Sequence, residues 1–453
     1  MLARKSTALH PNCIVIGSFL CLILLGTALL LLPGASSGSR MSPVDALFTS
    51  TSAVCVTGLT VIDTGTDLSR FGQVLTIILI QMGGLGIATF STFFVYVLGR
   101  RISLRGRGMV EASLTQFPVK NMGQLLVRIL GLTLVIEGVG AVLLYFCFSG
   151  SAGTPSAAFS AAYHSVSAFC NAGFSLYSTS LEDFRGNLGV NAIIMALVVL
   201  GGIGFVVIVE LMEPLFSRQK PRGRLSLHSK MVLSFTGGLL LAGAFAFLLL
   251  EANHSMAGLP YGWKLVASLF QAVTPRTAGF STVSMGSCSD ATLFLLIMLM
   301  FIGASPGSCG GGIKTTSFGV MVGLAVAKLK SSGDVNYFSR RVPDEIVSRA
   351  ISVALFSLVV VAGMLMVLSV TEADLQGPGS VRGFLALAFE TVSAFGTVGL
   401  STGITPCMSV AGKLLLTILM VVGRLGPLTI AIALAAREAK PRFRYAEEDV
   451  MIG

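Results

Sequence analysis

The sequence predicts an all-α membrane protein made of four similar units, and two observations lead to this prediction. The first is composition: 53% of the 453 residues are hydrophobic, only 11% are charged, and the mean hydropathy is +0.85. Soluble domains carry about 25% charged residues, and a soluble core of this size could not bury so much apolar surface. The second observation is a short phrase that occurs four times along the chain.

The repeated phrase has a central glycine, which is followed by Leu or Phe and then by Ser or Thr. Each copy is preceded by a short polar–apolar stretch, and a second glycine-containing apolar run follows about 25 residues later. Repetition of this kind indicates that one supersecondary unit is used four times. The copies are VTGLT at Val56–Thr60, NAGFS at Asn171–Ser175, TAGFS at Thr277–Ser281 and TVGLS at Thr397–Ser401.

Each unit reads as a spanning helix, a half-length helix, the glycine phrase and a second spanning helix. In the first unit these are Ile14–Leu32, a short helix that starts after Ser42, and Phe71–Leu98. Ser42 suits the N-cap of that short helix, and Pro43 suits its first position. The units cover residues 1–108, 109–224, 225–342 and 343–453. The other predicted helices are Leu125–Phe148, Ser156–Phe169, Val190–Phe216, Met231–Leu250, Ala291–Val326 (interrupted), Ile351–Val370 and Leu414–Ala436.

The basic residues predict the orientation of the chain in the membrane. Of the 31 Lys and Arg residues, 21 lie before the first helix, in the junctions between units, or in the tail. Because cytoplasmic loops carry an excess of Lys and Arg, both termini and all junctions are expected in the cytoplasm of a multi-pass plasma-membrane protein. The net charge of +10 is then explained by topology, and we expect no nucleic-acid partner.

The glycine phrases predict re-entrant loops that face a common pore. Non-helical backbone is tolerated at membrane depth only where it is buried in protein or lines a water-filled cavity. Four such loops, with eight spanning helices around one pore, would gather backbone carbonyls that replace the hydration shell of a cation. The residues expected to supply these carbonyls are Val56, Thr57, Gly58, Leu59, Asn171, Ala172, Gly173, Phe174, Thr277, Ala278, Gly279, Phe280, Thr397, Val398, Gly399 and Leu400.

The fourth phrase carries a resemblance to a known family. Thr397–Leu400 resembles the TVGYG filter of potassium channels, and the chain from about residue 13 to 453 resembles the Trk/Ktr/HKT superfamily of potassium transporters, the Ktr-type membrane subunits above all. The resemblance implies a potassium ion in the filter, no other cofactor in this chain, and a homodimer with one pore per subunit. It also implies a cytosolic ring of nucleotide-binding regulatory subunits of the KtrA type.

Two further features fit this resemblance and imply a gate. The family interrupts the second helix of its third unit with a glycine-rich intramembrane loop, and Gly303–Thr316 matches that loop. The family also has a pore-facing arginine in the fourth unit, where Arg424 stands in a position expected to be mid-helix. For Gly303–Thr316, the alternative is an ordinary loop that connects two short spanning helices. For Arg424, the alternative is a side chain that extends to the membrane interface. The implied gate residues are Gly303, Ser305, Gly307, Gly310, Gly311, Gly312, Lys314 and Arg424.

The sequence therefore predicts potassium uptake rather than enzymatic activity. A secondary carrier for an organic solute is the first alternative, and a polytopic membrane enzyme is the second, although no cluster of catalytic residues is visible. Only the fourth copy keeps the TVG triad, which predicts a less regular filter and weaker discrimination against sodium. Glu390 and Asp63 are expected near the outer mouth, where they either concentrate cations or form an ordinary solvated face.

Overall fold

The described part of the chain is almost entirely helical. The computed structural model describes residues 11–38, 40–86, 122–149, 156–216, 225–373 and 383–426. Within these ranges, the order of long helix, short helix and second helix occurs four times. The end of the third unit forms an antiparallel hairpin of two short strands, which the sequence did not predict.

The first unit contains α1 (Pro11–Leu30), α2 (Pro43–Cys55) and α3 (Arg70–Leu85). The second contains α4 (Met122–Phe148), α5 (Ala157–Phe169), α6 (Leu188–Ile203) and α7 (Phe205–Phe216). The third contains α8 (Leu227–Glu251), α9 (Tyr261–Val273), α10 (Asp290–Phe301), α11 (Thr315–Leu329), β1 (Asn336–Tyr337) and β2 (Arg340–Arg341). The fourth contains α12 (Asp344–Thr371), α13 (Gly383–Gly396) and α14 (Val410–Leu425).

The long first helices expose apolar surface, whereas most of the short helix of the fourth unit is buried. Among the described residues, three helices are long and apolar enough to cross a membrane: Leu126–Phe148 within α4, α8 and α12. Leu241 on α8 is 72% exposed and Val370 on α12 is 74% exposed, whereas α13 is buried from Ala386 to Gly396. Large exposed apolar surfaces are rare in soluble monomers, so these long helices are suited to face lipid.

The short helices begin and end as the sequence predicts. At α2 the Ser42 hydroxyl accepts a hydrogen bond from the Asp45 backbone N–H at 3.1 Å, and Pro43 occupies the first turn. Capping satisfies a backbone donor that the helix itself leaves free. The helix then stops at Val56, which has a left-handed conformation.

In the third and fourth units, a carboxylate at the end of the long first helix contacts the start of the second helix of the same unit. Glu251, at the end of α8, accepts from the backbone N–H of Ser289 at 2.8 Å. Glu372, just after α12, accepts from the backbone N–H of Ser409 at 3.1 Å. Ser289 and Ser409 are the N-cap residues of α10 and α14. Each carboxylate therefore stabilises the start of the second helix in its own unit.

The second helices are broken in more units than predicted. In the third unit the helix is interrupted between Phe301 and Thr315, as expected. In the second unit the prediction of one continuous helix is wrong, because α6 and α7 meet at an angle of 103° around Gly204. Gly204 has φ 96° and ψ 141°, a region that only glycine adopts readily.

Two more second helices end at equivalent glycines. α3 ends before Gly86 (φ 83°, ψ 131°), and α14 ends before Gly426 (φ 85°, ψ 131°). The remainders of the helices predicted to Leu98 and Ala436 lie outside the described residues. In the first, second and fourth units, regular helical structure therefore ends at an equivalent glycine: Gly86, Gly204 and Gly426.

Candidate functional site

The four phrase glycines lie against one another in a closed ring. A Cβ placed on Gly58 would lie 3.0 Å from the Cα of Gly173, and one on Gly173 would lie 2.8 Å from the Cα of Gly279. A Cβ on Gly279 would lie 3.3 Å from the Cα of Gly399, and one on Gly399 would lie 2.9 Å from the Cα of Gly58. Chain order is therefore also the order around the ring, and no side chain fits at these positions without displacing a neighbour.

The backbone of each phrase has the same unusual conformation. The first residue of every phrase has positive φ: 57° at Val56, 58° at Asn171, 65° at Thr277 and 50° at Thr397. Positive φ is exceptional for β-branched residues, and such conformations concentrate at functional sites. The glycine two residues later also has positive φ in every phrase, so the same backbone form is built four times.

The carbonyl oxygens of the phrases are mostly without partners. The four phrases contain sixteen carbonyls from Val56–Leu59 and its three counterparts, and among the described residues only those of Phe174 and Phe280 accept a hydrogen bond. The side chains around them are buried, and an unpaired buried carbonyl is costly unless water or an ion satisfies it. The ring is therefore a concentrated set of acceptors around a common centre.

A glycine-rich loop, residues 302–314, covers the ring on the side of the first phrase residues. The Gly311 N–H donates to the Thr397 hydroxyl at 3.0 Å, and a Cβ placed on Gly310 would lie 3.0 Å from the Cβ of Thr277. The Lys314 ammonium donates back to the Gly310 carbonyl at 2.6 Å. The loop thus packs directly under the third and fourth phrases. Gly303, Ser305, Gly307 and Gly312 belong to the same loop.

The same loop is held by the bend between α6 and α7. The Phe205 N–H, which is free because it starts α7, donates to the Gly307 carbonyl at 2.8 Å, and the Ser305 N–H donates to the Gly202 carbonyl at 3.1 Å. A Cβ on Gly204 would lie 2.6 Å from the Pro306 carbonyl oxygen. The break in the second unit therefore supplies a donor, an acceptor and the space that the loop of the third unit needs.

Arg424 connects three units at the level of this loop. It lies in the last turn of α14, so the expectation of a mid-helix position is wrong, because the helix stops at Gly426. Its guanidinium donates to the carbonyls of Cys309 in the loop and of Gly83 and Gly84 in α3. Arginine is favoured near helix C-termini, where carbonyls lack helical partners. The side chain thus points to the loop rather than out to an interface.

The two acidic residues expected near the outer mouth have structural partners. Glu390, buried on α13, accepts from the Thr402 backbone N–H at 2.8 Å and from the Thr405 hydroxyl at 2.6 Å. Asp63 accepts from the backbone N–H groups of Gly65 and Thr66. A solvated face is therefore wrong for Glu390, which holds the chain that follows the fourth phrase.

Sequence reasoning missed a hydroxyl on each short helix that contacts the following phrase. A signal was available, since three of the hydroxyls lie six residues before the phrase glycine and are followed by alanine. In the third unit the spacing is five, which hides the pattern. The four residues are Ser52, Ser167, Thr274 and Ser393.

Comparison with known proteins identifies the family. Residues 4–443 match the family model described as TrkH, cation transport protein. The chain belongs to the TrkH family. This confirms the resemblance found in the sequence and places the chain in a family of cation transport proteins rather than of enzymes.

Several relatives of the TrkH-family chain match over nearly their whole length. The Ktr system potassium uptake protein B of Bacillus subtilis is 39% identical, with 98% of this chain and 96% of the relative covered. The potassium/sodium uptake protein NtpJ of Enterococcus hirae is 36% identical, with coverage of 100% and 99%. The potassium transporter TrkH of Vibrio parahaemolyticus has a similar fold, with a TM-score of 0.72 and 21% identity over 96% of this chain and 86% of that one.

Proposed function

We propose that this TrkH-family chain takes up potassium ions across the plasma membrane along the axis of the glycine ring. The observation that carries the proposal is the closed ring of Gly58, Gly173, Gly279 and Gly399, around which most phrase carbonyls lack donors among the described residues. Four units, residues 1–108, 109–224, 225–342 and 343–453, each supply a re-entrant loop, and eight spanning helices surround the pore. Relatives named as potassium uptake proteins support the choice of ion.

The ring acts as a selectivity filter. A potassium ion that enters it exchanges its water shell for backbone carbonyls of residues 56–59, 171–174, 277–280 and 397–400. The short helices end at the ring, and the partial negative charge of a helix C-terminus favours a cation there. The ring therefore offers neutral oxygen ligands together with a favourable potential, which suits a weakly held ion that must leave again.

The loop 302–314 and Arg424 form the gate. The loop contacts the innermost residues of two phrases, so a permeating ion must pass it after leaving the filter. The Arg424 guanidinium holds the loop through the Cys309 carbonyl and places a positive charge beside the route of a cation. Opening therefore requires the loop to leave its contacts with Thr397 and Arg424.

The proposed assembly is a homodimer with one pore per subunit, both termini in the cytoplasm, and a cytosolic ring of KtrA-type nucleotide-binding subunits on the basic cytoplasmic face. Relatives named as parts of a Ktr system support a separate regulatory subunit. The chain needs no cofactor of its own beyond the transported ion, and no nucleic acid takes part.

Potassium uptake in cells that lack their own potassium transporters tests the proposal. Gly399→Ser is expected to abolish uptake or the preference for potassium over sodium, because a side chain there overlaps the Thr57 carbonyl. Gly131→Ser on α4, where a Cβ meets nothing within 4 Å, is the control. Unchanged uptake and unchanged ion preference in Gly399→Ser would reject the filter.

A further inference from the structure

The four phrases share one backbone form but fall into two pairs that differ in sequence and in the φ angle of the glycine. The first and fourth phrases have Leu after the glycine, whereas the second and third have Phe. The glycine φ angles divide in the same way, with 92° at Gly58 and 90° at Gly399 against 68° at Gly173 and 74° at Gly279. Because the members of each pair are neighbours in the ring, the ring has a Leu side and a Phe side.

On the Leu side, the short-helix hydroxyls hold the glycine N–H groups. Ser52 accepts from the Gly58 N–H at 3.1 Å, and Ser393 accepts from the Gly399 N–H at the same distance. The carbonyls that follow these glycines accept no hydrogen bond from any residue in the described ranges. They belong to Leu59 and Leu400.

On the Phe side, the corresponding hydroxyls bind carbonyls instead. The Ser167 hydroxyl donates to the Phe174 carbonyl at 2.8 Å, and the Thr274 hydroxyl donates to the Phe280 carbonyl. A carbonyl that accepts from its own short helix is directed toward that hydroxyl. It therefore carries a hydrogen bond that the Leu59 and Leu400 carbonyls lack.

We propose that Ser167 and Thr274 are positioning residues that remove two of the four outermost carbonyls from the ion pathway. This inference rests on the proposed filter and changes its composition. The outermost layer of the filter then offers an ion only the Leu59 and Leu400 carbonyls, and not those of Phe174 and Phe280. An ion at this level keeps part of its water shell and lies toward the Leu side. Full dehydration, and with it the discrimination between cations, takes place at the three inner levels.

Removal of the two hydroxyls tests this inference. Ser167→Ala and Thr274→Val take away the donors and keep nearly the same side-chain volume, so the Phe174 and Phe280 carbonyls become free to turn inward. We expect a several-fold lower KM for potassium uptake, with a larger decrease in the double variant. If these hydroxyls only supported the fold, their removal would lower the maximal rate or the amount of protein and would not lower the KM for potassium.

The hydroxyls on the Leu side provide the matched control. Ser52→Ala and Ser393→Ala leave a glycine N–H without its acceptor, so these variants are expected to raise the KM for potassium. A KM that is unchanged or raised in both Ser167→Ala and Thr274→Val would overturn the inference. If Gly399→Ser alters ion preference in the potassium uptake assay described above, the proposed filter is retained even when this inference fails. If Gly399→Ser has no effect, the proposed function fails first.

The position of bound rubidium in the wild-type protein gives a direct readout that does not depend on variants. Rubidium is expected on the ring axis at the glycine level and displaced toward Leu59 and Leu400 at the outer level. Anomalous density on the axis at the outer level, with the Phe174 and Phe280 carbonyls turned toward it, would overturn the inference.

Discussion

The Arg424 guanidinium donates a hydrogen bond to the carbonyl oxygen of Cys309, and this contact joins the end of α14 to the loop beneath the ring. The same guanidinium donates to the Gly84 carbonyl at 3.2 Å, so one side chain connects the first, third and fourth units. In the proposed gate, this contact is the one that holds the loop across the ion route.

Replacement of Arg424 by Ala is therefore expected to increase potassium flux. The variant removes both a positive charge beside the route and the donor that holds the loop, and we expect a several-fold higher initial rate of rubidium uptake into proteoliposomes. Lys413→Ala is the matched control, because Lys413 lies on the same helix but pairs with Asp45 at 2.9 Å, away from the loop. Equal rates in Arg424→Ala and wild type would contradict the role of Arg424 in the gate.

The close packing of the second helices predicts at which glycines a larger residue lowers the stability of the fold. A Cβ placed on Gly83 overlaps the Val54 carbonyl oxygen at the end of α2. Gly83→Ala must displace backbone rather than a flexible side chain, and overpacking of this kind costs about 1–3 kcal/mol. We expect a lower thermal midpoint in detergent and less folded protein.

Gly131→Ala is the comparison for this prediction. Gly131 lies on α4 with nothing within 4 Å of a Cβ, and Ala is a better helix former than Gly by about 1 kcal/mol. The thermal midpoint of this variant is expected to be equal to or above that of the wild type. Similar losses in both variants would show that the contact with Val54 does not decide the effect.

The carboxylate of Glu372 is expected to contribute to stability because it is buried and caps a helix. It is 3% exposed and accepts from the Ser409 N–H, so Glu372→Ala leaves the N–H of the residue that caps α14 without its acceptor. Loss of such a buried acceptor costs about 1–3 kcal/mol. The measurement is thermal unfolding in detergent, with Glu345→Ala as the control, since the Glu345 side chain is 86% exposed. A midpoint for Glu372→Ala that equals that of Glu345→Ala would refute the assignment.

Glu390 is expected to affect ion preference rather than only stability. It holds the Thr402 N–H and the Thr405 hydroxyl, which follow directly after the fourth phrase. Glu390→Ala frees this segment, so we expect a several-fold weaker preference for potassium over sodium in competition uptake assays. A loss of protein without any change in the competition ratio would speak against this role.

The sequence was sufficient for the elements whose signals are local. The short helix after Ser42 and the interruption around Gly303–Thr316 were predicted because a capping residue and a glycine cluster mark them directly. The bend at Gly204 was missed, since a single glycine in an apolar run also fits close helix packing. Only the contact with the Pro306 carbonyl from another unit shows why the helix turns there.

The candidate site was predictable in composition but not in its hydrogen bonds. The four phrases could be recognised from their glycines, whereas the different roles of Ser167 and Ser393 depend on which backbone group faces each hydroxyl. The position of Arg424 at a helix end depends on where α14 stops, and Gly426 fixes that point through its backbone angles. Such features arise from tertiary contacts, which a single sequence does not encode in local patterns.

The ring is closed by glycines from one polypeptide, and this has a genetic consequence. In a channel made of four identical subunits, a substitution in the filter appears in all four walls at once. Here a codon change in one phrase, at a residue other than its glycine, alters one wall and leaves the other three intact. If the ring is the selectivity filter that we propose, ion preference changes one wall at a time during evolution, and natural variants with one divergent phrase are expected to remain functional more often than their counterparts in tetrameric channels.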